Sequence, residues 1–166
     1  ATPVLLAGSD VLPSLSSGAV DAAEWICPAA DLGAGLYQAA KYYYGPGWHE
    51  PSTLLDLSMD LPSWEKLDSS TQGLIDDMTK SFNMTVFSRV PAANGPALQK
   101  LLGEHNVQLK QFPDEVLIAL GNAAGEVVSE RGSINSETKG ICNHLRSFRK
   151  IIMDWSTKGE SAFARI

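Results

Sequence analysis

Two short blocks in this chain carry side chains that could do chemistry. The first is Glu24-Trp25, at the end of the apolar run in GAVDAAEWICP, residues 18–28. A carboxylate removed from water costs several kcal/mol or more unless a cation, a metal or hydrogen-bond donors answer it. Glu24 is therefore either an ion-holding group or a strand-end acid that stays wet, and the local pattern leaves both open. The second block, Trp48-His49-Glu50, puts an indole, an imidazole and a carboxylate on one loop. These could line a cleft, but His49 alone makes no metal motif and serves equally well to brace the loop. The usual signatures of catalysis are missing: no GxSxG elbow, phosphate loop, spaced metal ligands, or nucleophile with its base. On that count the chain is not an enzyme. Cys27 and Cys142 lie far apart without CxxC or Cys/His spacing, and both are expected to be free thiols.

Charge narrows the partners further. Thirteen Lys and Arg against nineteen Asp and Glu give a net charge of -6, which repels a phosphate backbone unless basic groups cluster. Arg146, Arg149 and Lys150 are the one concentration, and their i, i+3, i+4 spacing reads as a solvated helix face, so no nucleic-acid partner is expected. No run of eighteen apolar residues is present to span a bilayer. At 166 residues, 44% of them hydrophobic, the chain suffices for one domain or for part of something larger. It has neither an initiating Met nor a secretory leader pattern and reads as a processed or cut piece.

The elements that would position these residues are mostly helical. TPVLL, residues 2–6, predicts a buried strand. Ser9 or Asp10 would cap a short helix with Pro13 in its first turn, ended by Gly18. Ala19 to Ile26 predicts a second strand, and a helix from Pro28 should run through Tyr44 until Gly45-Pro46-Gly47 stops it. Thr53 to Met59 reads as a strand and Pro62 to Leu67 as one helical turn. Asp68 or Ser69 would cap a long helix with Leu74, Ile75, Met78, Phe82 and Val86 on one face, interrupted by Pro91 and Pro96, with a new helix from Pro96 to Leu102 closed by Gly103. After a short strand at Val107 to Leu109, Pro113-Asp114-Glu115 opens a helix with Val116, Leu117, Leu120, Ala124, Val127 and Val128 inward, closed by Gly132. Ile141, Leu145, Phe148, Ile152 and Trp155 then form an apolar stripe at helical spacing, suited to docking on its own domain or on a second subunit.

Four blocks, taken in order, carry a resemblance. SGAVDAAEW, AAKYYYGPGWHEP, LDLSMDLPSWEKL and SFRKIIMDWSTKGESAF together resemble the periplasmic solute receptors of TRAP transporters, in particular those for 2-oxo acids and other monocarboxylates. The resemblance covers nearly the whole chain, yet such receptors are about twice as long. It therefore implies the C-terminal half of a receptor: a helix-rich α/β chain, a partial periplasmic-binding-protein (type II-like) fold with a few strands and long C-terminal helices. Residues 1–24 and 59–134 would be second-lobe-like, 25–58 first-lobe-like, and 135–166 the dimerisation helices.

The same resemblance implies that Glu24 and the main-chain carbonyl of Trp25 hold a sodium or calcium ion bridging to a small organic anion, with hard oxygens suiting a hard cation. Trp25, Trp48, His49 and Glu50 would line or flank the cleft. The arginine and glutamine that the family supplies from its first half have no counterpart here, which implies an incomplete site. Periplasmic localisation, TRAP membrane subunits as partners and a homodimer through the C-terminal helices follow from the resemblance as well. The alternative is an oligomeric assembly module derived from such a receptor that binds no ligand.

Overall fold

Local chemistry places most helix ends. The computed structural model describes residues 2–48, 50 and 55–163, which fall into two units, Ala1–Gln111 and Phe112–Ile166. In the first unit, helix α1 (Gly8–Ser17) ends at Gly18, whose left-handed φ of 73° lets its N–H reach back to Leu15 and Ser14. Ala7, not Ser9 or Asp10, is the N-cap, and Pro13 lies inside the helix instead of in its first turn.

Neither expected N-terminal strand forms. Residues 2–7 and 19–27 hold no regular structure, and Leu5 is fully exposed. A strand is defined by its ladder, and these runs have no sheet neighbour among the described residues. β-propensity alone does not supply one.

Helix α2 (Pro28–Gly33) starts with Pro28 in its first turn, where no N–H is needed. It stops well short of the expected Tyr44. Gly35 takes φ 71°, a conformation that L side chains resist, and a 3-10 turn follows at Leu36–Gln38. Three tyrosines in a row then favour an extended chain once a partner strand exists. Strand β1 (Tyr42–Gly45) finds it in β2 (Gln108–Gln111), which covers the expected short strand displaced by one residue. The pair is parallel, with Tyr42 opposite Gln108 and Gly45 opposite Gln111.

Thr53 and Leu54 of the expected third strand lie outside the described residues, and 55–60 have no regular structure. Asp60 caps helix α3 (Leu61–Glu65) by accepting from the Ser63 N–H at 3.0 Å. Asp68 does the same for helix α4 (Ser69–Gly103), accepting from Thr71 at 2.9 Å.

Helix α4 runs unbroken through Pro91 and Pro96, against the expected interruption. Each interior proline costs about 3 kcal/mol through a lost hydrogen bond and a ring clash, so other contacts must hold the segment. Two are visible. Asn94, between the prolines, accepts a hydrogen bond from the Ala29 N–H of α2 at 3.1 Å, and Ala97 and Leu101 just beyond are buried. With Val11 and Val107 they are the buried apolar residues of the described chain. The face expected to be buried further upstream is open, with Leu74, Met78 and Phe82 exposed.

The second unit is a helical hairpin. Helix α5 (Asp114–Gly132) packs on α6 (Ser136–Lys158), and a short α7 (Glu160–Phe163) follows. At the turn, Asn135 and Thr138 form a capping box: Asn135 Oδ1 accepts from the Thr138 N–H at 2.8 Å, and the Asn135 N–H donates to Thr138 Oγ1 at 3.2 Å. Gly132 is buried and closely approached by Cys142: a Cβ on the glycine would lie 3.3 Å from Cys142 Cβ. Arg146 donates to Ser129 Oγ at 2.9 Å, joining the helices from the polar side. Val127, expected to face inward, is exposed, as is the whole stripe from Ile141 to Trp155.

Candidate functional site

Of the two readings of Glu24, buried or wet, the structure shows the wet one, and the buried acid lies elsewhere. Glu24 is exposed, in the irregular segment between α1 and α2, whereas Asp31, seven residues on, is only 6% exposed. No other polar or charged side chain is as buried among the described residues, so desolvation falls on Asp31 and demands donors. It has three. Oδ1 accepts from the main-chain N–H groups of Ile26 and Cys27, each at 3.2 Å, and Oδ2 accepts from the Tyr43 phenol of β1. Sequence pattern explains the first two: Cys27 is the N-cap of α2 and its thiol makes no cap bond, so a carboxylate one turn into the helix reaches back to the orphan N–H groups. The Asp31 N–H returns a bond to the Cys27 carbonyl at 2.8 Å.

Tyr43 carries the electrostatic consequence. Burial, then the hydrogen bond to Asp31 and the negative charge of that carboxylate, push its phenol well above the usual tyrosine range. Tyr43 therefore stays a neutral donor wherever the protein is folded near neutrality, which suits an anionic acceptor.

Trp25 is held by its side chain. Its indole lies over Gly8 at the start of α1, so close that a Cβ on Gly8 would sit 2.8 Å from Cη2 of the ring. The residue is half-buried. Both cysteines are free thiols, as expected.

The second candidate block follows β1. Trp48 is 41% exposed and Glu50 is exposed; His49 lies outside the described residues. The structure links the two blocks through one side-chain pair, because Asp31 grips the segment carrying Glu24 and Trp25 while Tyr43 belongs to the strand that leads to Trp48. Sequence reasoning singled out neither Asp31 nor Tyr43. A proline-opened helix preceded by a cysteine, with an acid in its first turn, was the available signal.

A separate open groove of about 600 Å³ in the first unit runs between residues 55–61 and the flank of α4, lined by Leu57, Met59, Trp64, Ile75 and the exposed Asp76–Lys80 ion pair. None of the candidate residues lines it, so volume and chemistry point to different places; the chemistry lies with the Glu24 segment. Among the described residues no cluster of three or more His, Cys, Asp and Glu could hold a metal. No helix is long and apolar enough to cross a membrane among the described residues.

Known proteins are similar over nearly the whole chain. The monocarboxylate 2-oxoacid-binding periplasmic protein of Nostoc sp. is 32% identical over 159 residues, 96% of this chain and 43% of that protein. Among solved structures, a TRAP periplasmic solute binding protein from Colwellia psychrerythraea with bound calcium and pyruvate superposes with a TM-score of 0.91 at 28% identity, over 99% of this chain and 50% of that one. One from Pseudoalteromonas atlantica with sodium and pyruvate gives 0.91 at 26%, again over 99% and 50%. A dimeric TRAP receptor from Bordetella bronchiseptica with calcium and picolinate gives 0.86 at 29%, over 98% and 48%. The chain thus spans about half the length of these relatives, and its fold is the expected helix-rich half of a periplasmic receptor. The model of the bacterial extracellular solute-binding proteins, family 7 (DctP), matches residues 1–133, and the chain belongs to that family.

Proposed function

We propose that this chain carries the cation-holding half of a periplasmic receptor site for a small organic anion such as a 2-oxo acid or monocarboxylate. The supporting observation is the match over 99% of the chain to receptors whose structures hold calcium or sodium together with pyruvate. Glu24 and the Trp25 carbonyl are the proposed ion ligands, with Trp48, His49 and Glu50 flanking the cleft. The donor set fits: one carboxylate and one main-chain carbonyl are hard oxygens, right for calcium or sodium. It is also short, because calcium takes about six to eight oxygens, and the remainder falls to the anion, to water and to groups outside these residues. In the lobe assignment that accompanies this reading, residues 1–24 and 59–134 belong to the second lobe and 25–58 to the first. TRAP membrane subunits are the transport partners, and the α6 stripe is the homodimer surface.

NMR titration of the 166-residue chain tests the reading. Calcium at millimolar levels should shift the Glu24 and Trp25 main-chain signals, Glu24→Gln should abolish the shift, and pyruvate should add nothing. Saturable pyruvate binding at micromolar levels would show that the site is complete. No response to calcium at Glu24 or Trp25 would sink the ligand reading and favour the second one, an assembly module without ligand. That alternative has its own support: Ile141, Leu145, Phe148, Ile152 and Trp155 are all exposed on α6, between 41% and 65%, more aligned apolar surface than a lone helix leaves in water. Light scattering decides the dimer, and a stable monomer at micromolar concentration would refute it.

A further inference from the structure

The peptide unit between Trp25 and Ile26 has two ends. Its carbonyl is the proposed ion ligand, and its N–H, that of Ile26, donates to Asp31 Oδ1 at 3.2 Å. A trans peptide is planar, with C=O and N–H pointing in opposite directions. Fixing one end therefore fixes the other. We propose that Asp31 is the positioning residue of the cation half-site: by holding the Ile26 N–H, it aims the Trp25 carbonyl away from its own carboxylate and sets the direction from which an ion is met. The inference rests on the reading of the Trp25 carbonyl as a ligand.

Three observations make Asp31 suited to this. It is 6% exposed, so water does not compete for its oxygens. It takes the neighbouring Cys27 N–H on the same Oδ1, so successive peptides are oriented together, and the Tyr43 phenol holds Oδ2 from β1, so the carboxylate is itself oriented by a separate element. Finally, a hydrogen bond to an anion draws the N–H proton and enriches the carbonyl oxygen across the peptide, strengthening it as a ligand in the way that outer-shell carboxylates tune metal-bound histidines. Gly8 bears on the side chain of the same residue, its missing Cβ giving room for the Trp25 indole. Trp25 is thus held by its side chain against α1 and by the peptide that follows it against α2.

A purely structural role, closing the first turn of α2, predicts something different, and a control separates the two. Asn94→Ala loosens the same helix by freeing the Ala29 N–H, without touching Asp31. The experiment is the calcium titration of the whole chain followed by NMR, together with amide exchange and melting, on wild type, Asp31→Asn, Asp31→Ala and Asn94→Ala. Asp31→Asn keeps an oxygen for both N–H groups and loses the charge. It should retain slow exchange at Ile26 and Cys27, move the Trp25 carbonyl carbon signal and weaken calcium about threefold to tenfold. Asp31→Ala should lose the exchange protection and the calcium-induced shifts at Glu24 and Trp25. Asn94→Ala should melt lower with calcium affinity unchanged within twofold. If Asp31→Asn and Asn94→Ala weaken calcium equally, or if Asp31→Ala leaves Ile26 and Cys27 protected, Asp31 does not position the carbonyl. A wild-type chain without any calcium response at Glu24 and Trp25 removes the ligand reading itself, and this inference with it.

Discussion

Replacing Gly8 with alanine sets two effects of known size against each other. The backbone favours the change: α1 includes Gly8, its φ is not among the left-handed values, and alanine is the better helix former by up to about 1 kcal/mol in an interior position, less at the first turn. Packing opposes it. The new methyl would lie 2.8 Å from Trp25 Cη2, 3.5 Å from Cζ3 and 3.9 Å from Cζ2, whereas carbon pairs rest at about 3.5–4.0 Å. Only the first distance is a clash, and it is met by the rim of a ring on a segment without regular structure, so the indole can retreat by a little under 1 Å. Overpacking of this kind costs about 1–3 kcal/mol, and the soft neighbour argues for the low end. The net expectation is a loss of about 0.5 kcal/mol, a fall in Tm of about 1–2 °C. The decisive measurement is a double-mutant cycle with Trp25→Phe, which removes the clashing atom. In that background Gly8→Ala should become neutral or stabilising, with a coupling of at least about 0.5 kcal/mol. Additivity of the two changes, or a higher Tm for Gly8→Ala alone, would refute the argument that the indole requires a glycine beneath it.

Two further outcomes follow from polar contacts. Tyr43 has a phenol raised above its unfolded value by burial and by Asp31; the unfolded chain ionises it near pH 10 while the folded chain does not, so the folded state binds the extra proton and stability falls as pH rises beyond about 10. Tyr43→Phe should flatten that alkaline decline, seen as a shrinking difference in Tm between mutant and wild type from pH 9 to 11, and parallel curves would contradict it. At the hairpin, Asn135→Ala deletes the acceptor for the Thr138 N–H and should cost about 1 kcal/mol, read as faster amide exchange in the first turn of α6 with the α5 amides little changed; equal exchange in that turn would show that the capping box adds nothing.

Helices whose ends carry their own chemistry were legible in the sequence. Asp68 before α4 and Gly18 after α1 each satisfy a terminus by a short-range bond, and such bonds depend only on neighbours in the chain. Features that depend on distant partners were not legible. TPVLL and the run ending at Ile26 have the composition of strands, but no ladder forms for them among the described residues. The passage of α4 through Pro91 and Pro96 rests on Asn94 meeting α2, a contact across 65 positions. Tyr42 to Tyr44 are strand instead of helix because Gln108 to Gln111 lies alongside the segment, a partner that a helical pattern running on from Pro28 could not reveal.

The site shows the same limit in a sharper form. Apolar neighbours made Glu24 the acid whose burial was in question and left it either ion-holding or wet, since hydrophobic context is all that a sequence offers as a measure of burial. Burial in fact falls on Asp31, which reads locally as an ordinary first-turn acid of an amphipathic helix. The difference lies in what each can bond. An acid four residues after the N-cap Cys27 finds the main-chain N–H groups of Ile26 and Cys27 close by along the chain, and these donors let it tolerate burial. Exposure of Glu24 is then no argument against ion binding. In the proposed site an ion ligand has to be reached from solvent, which the exposed Glu24 allows, whereas a positioning acid works best when closed off from water, as Asp31 is.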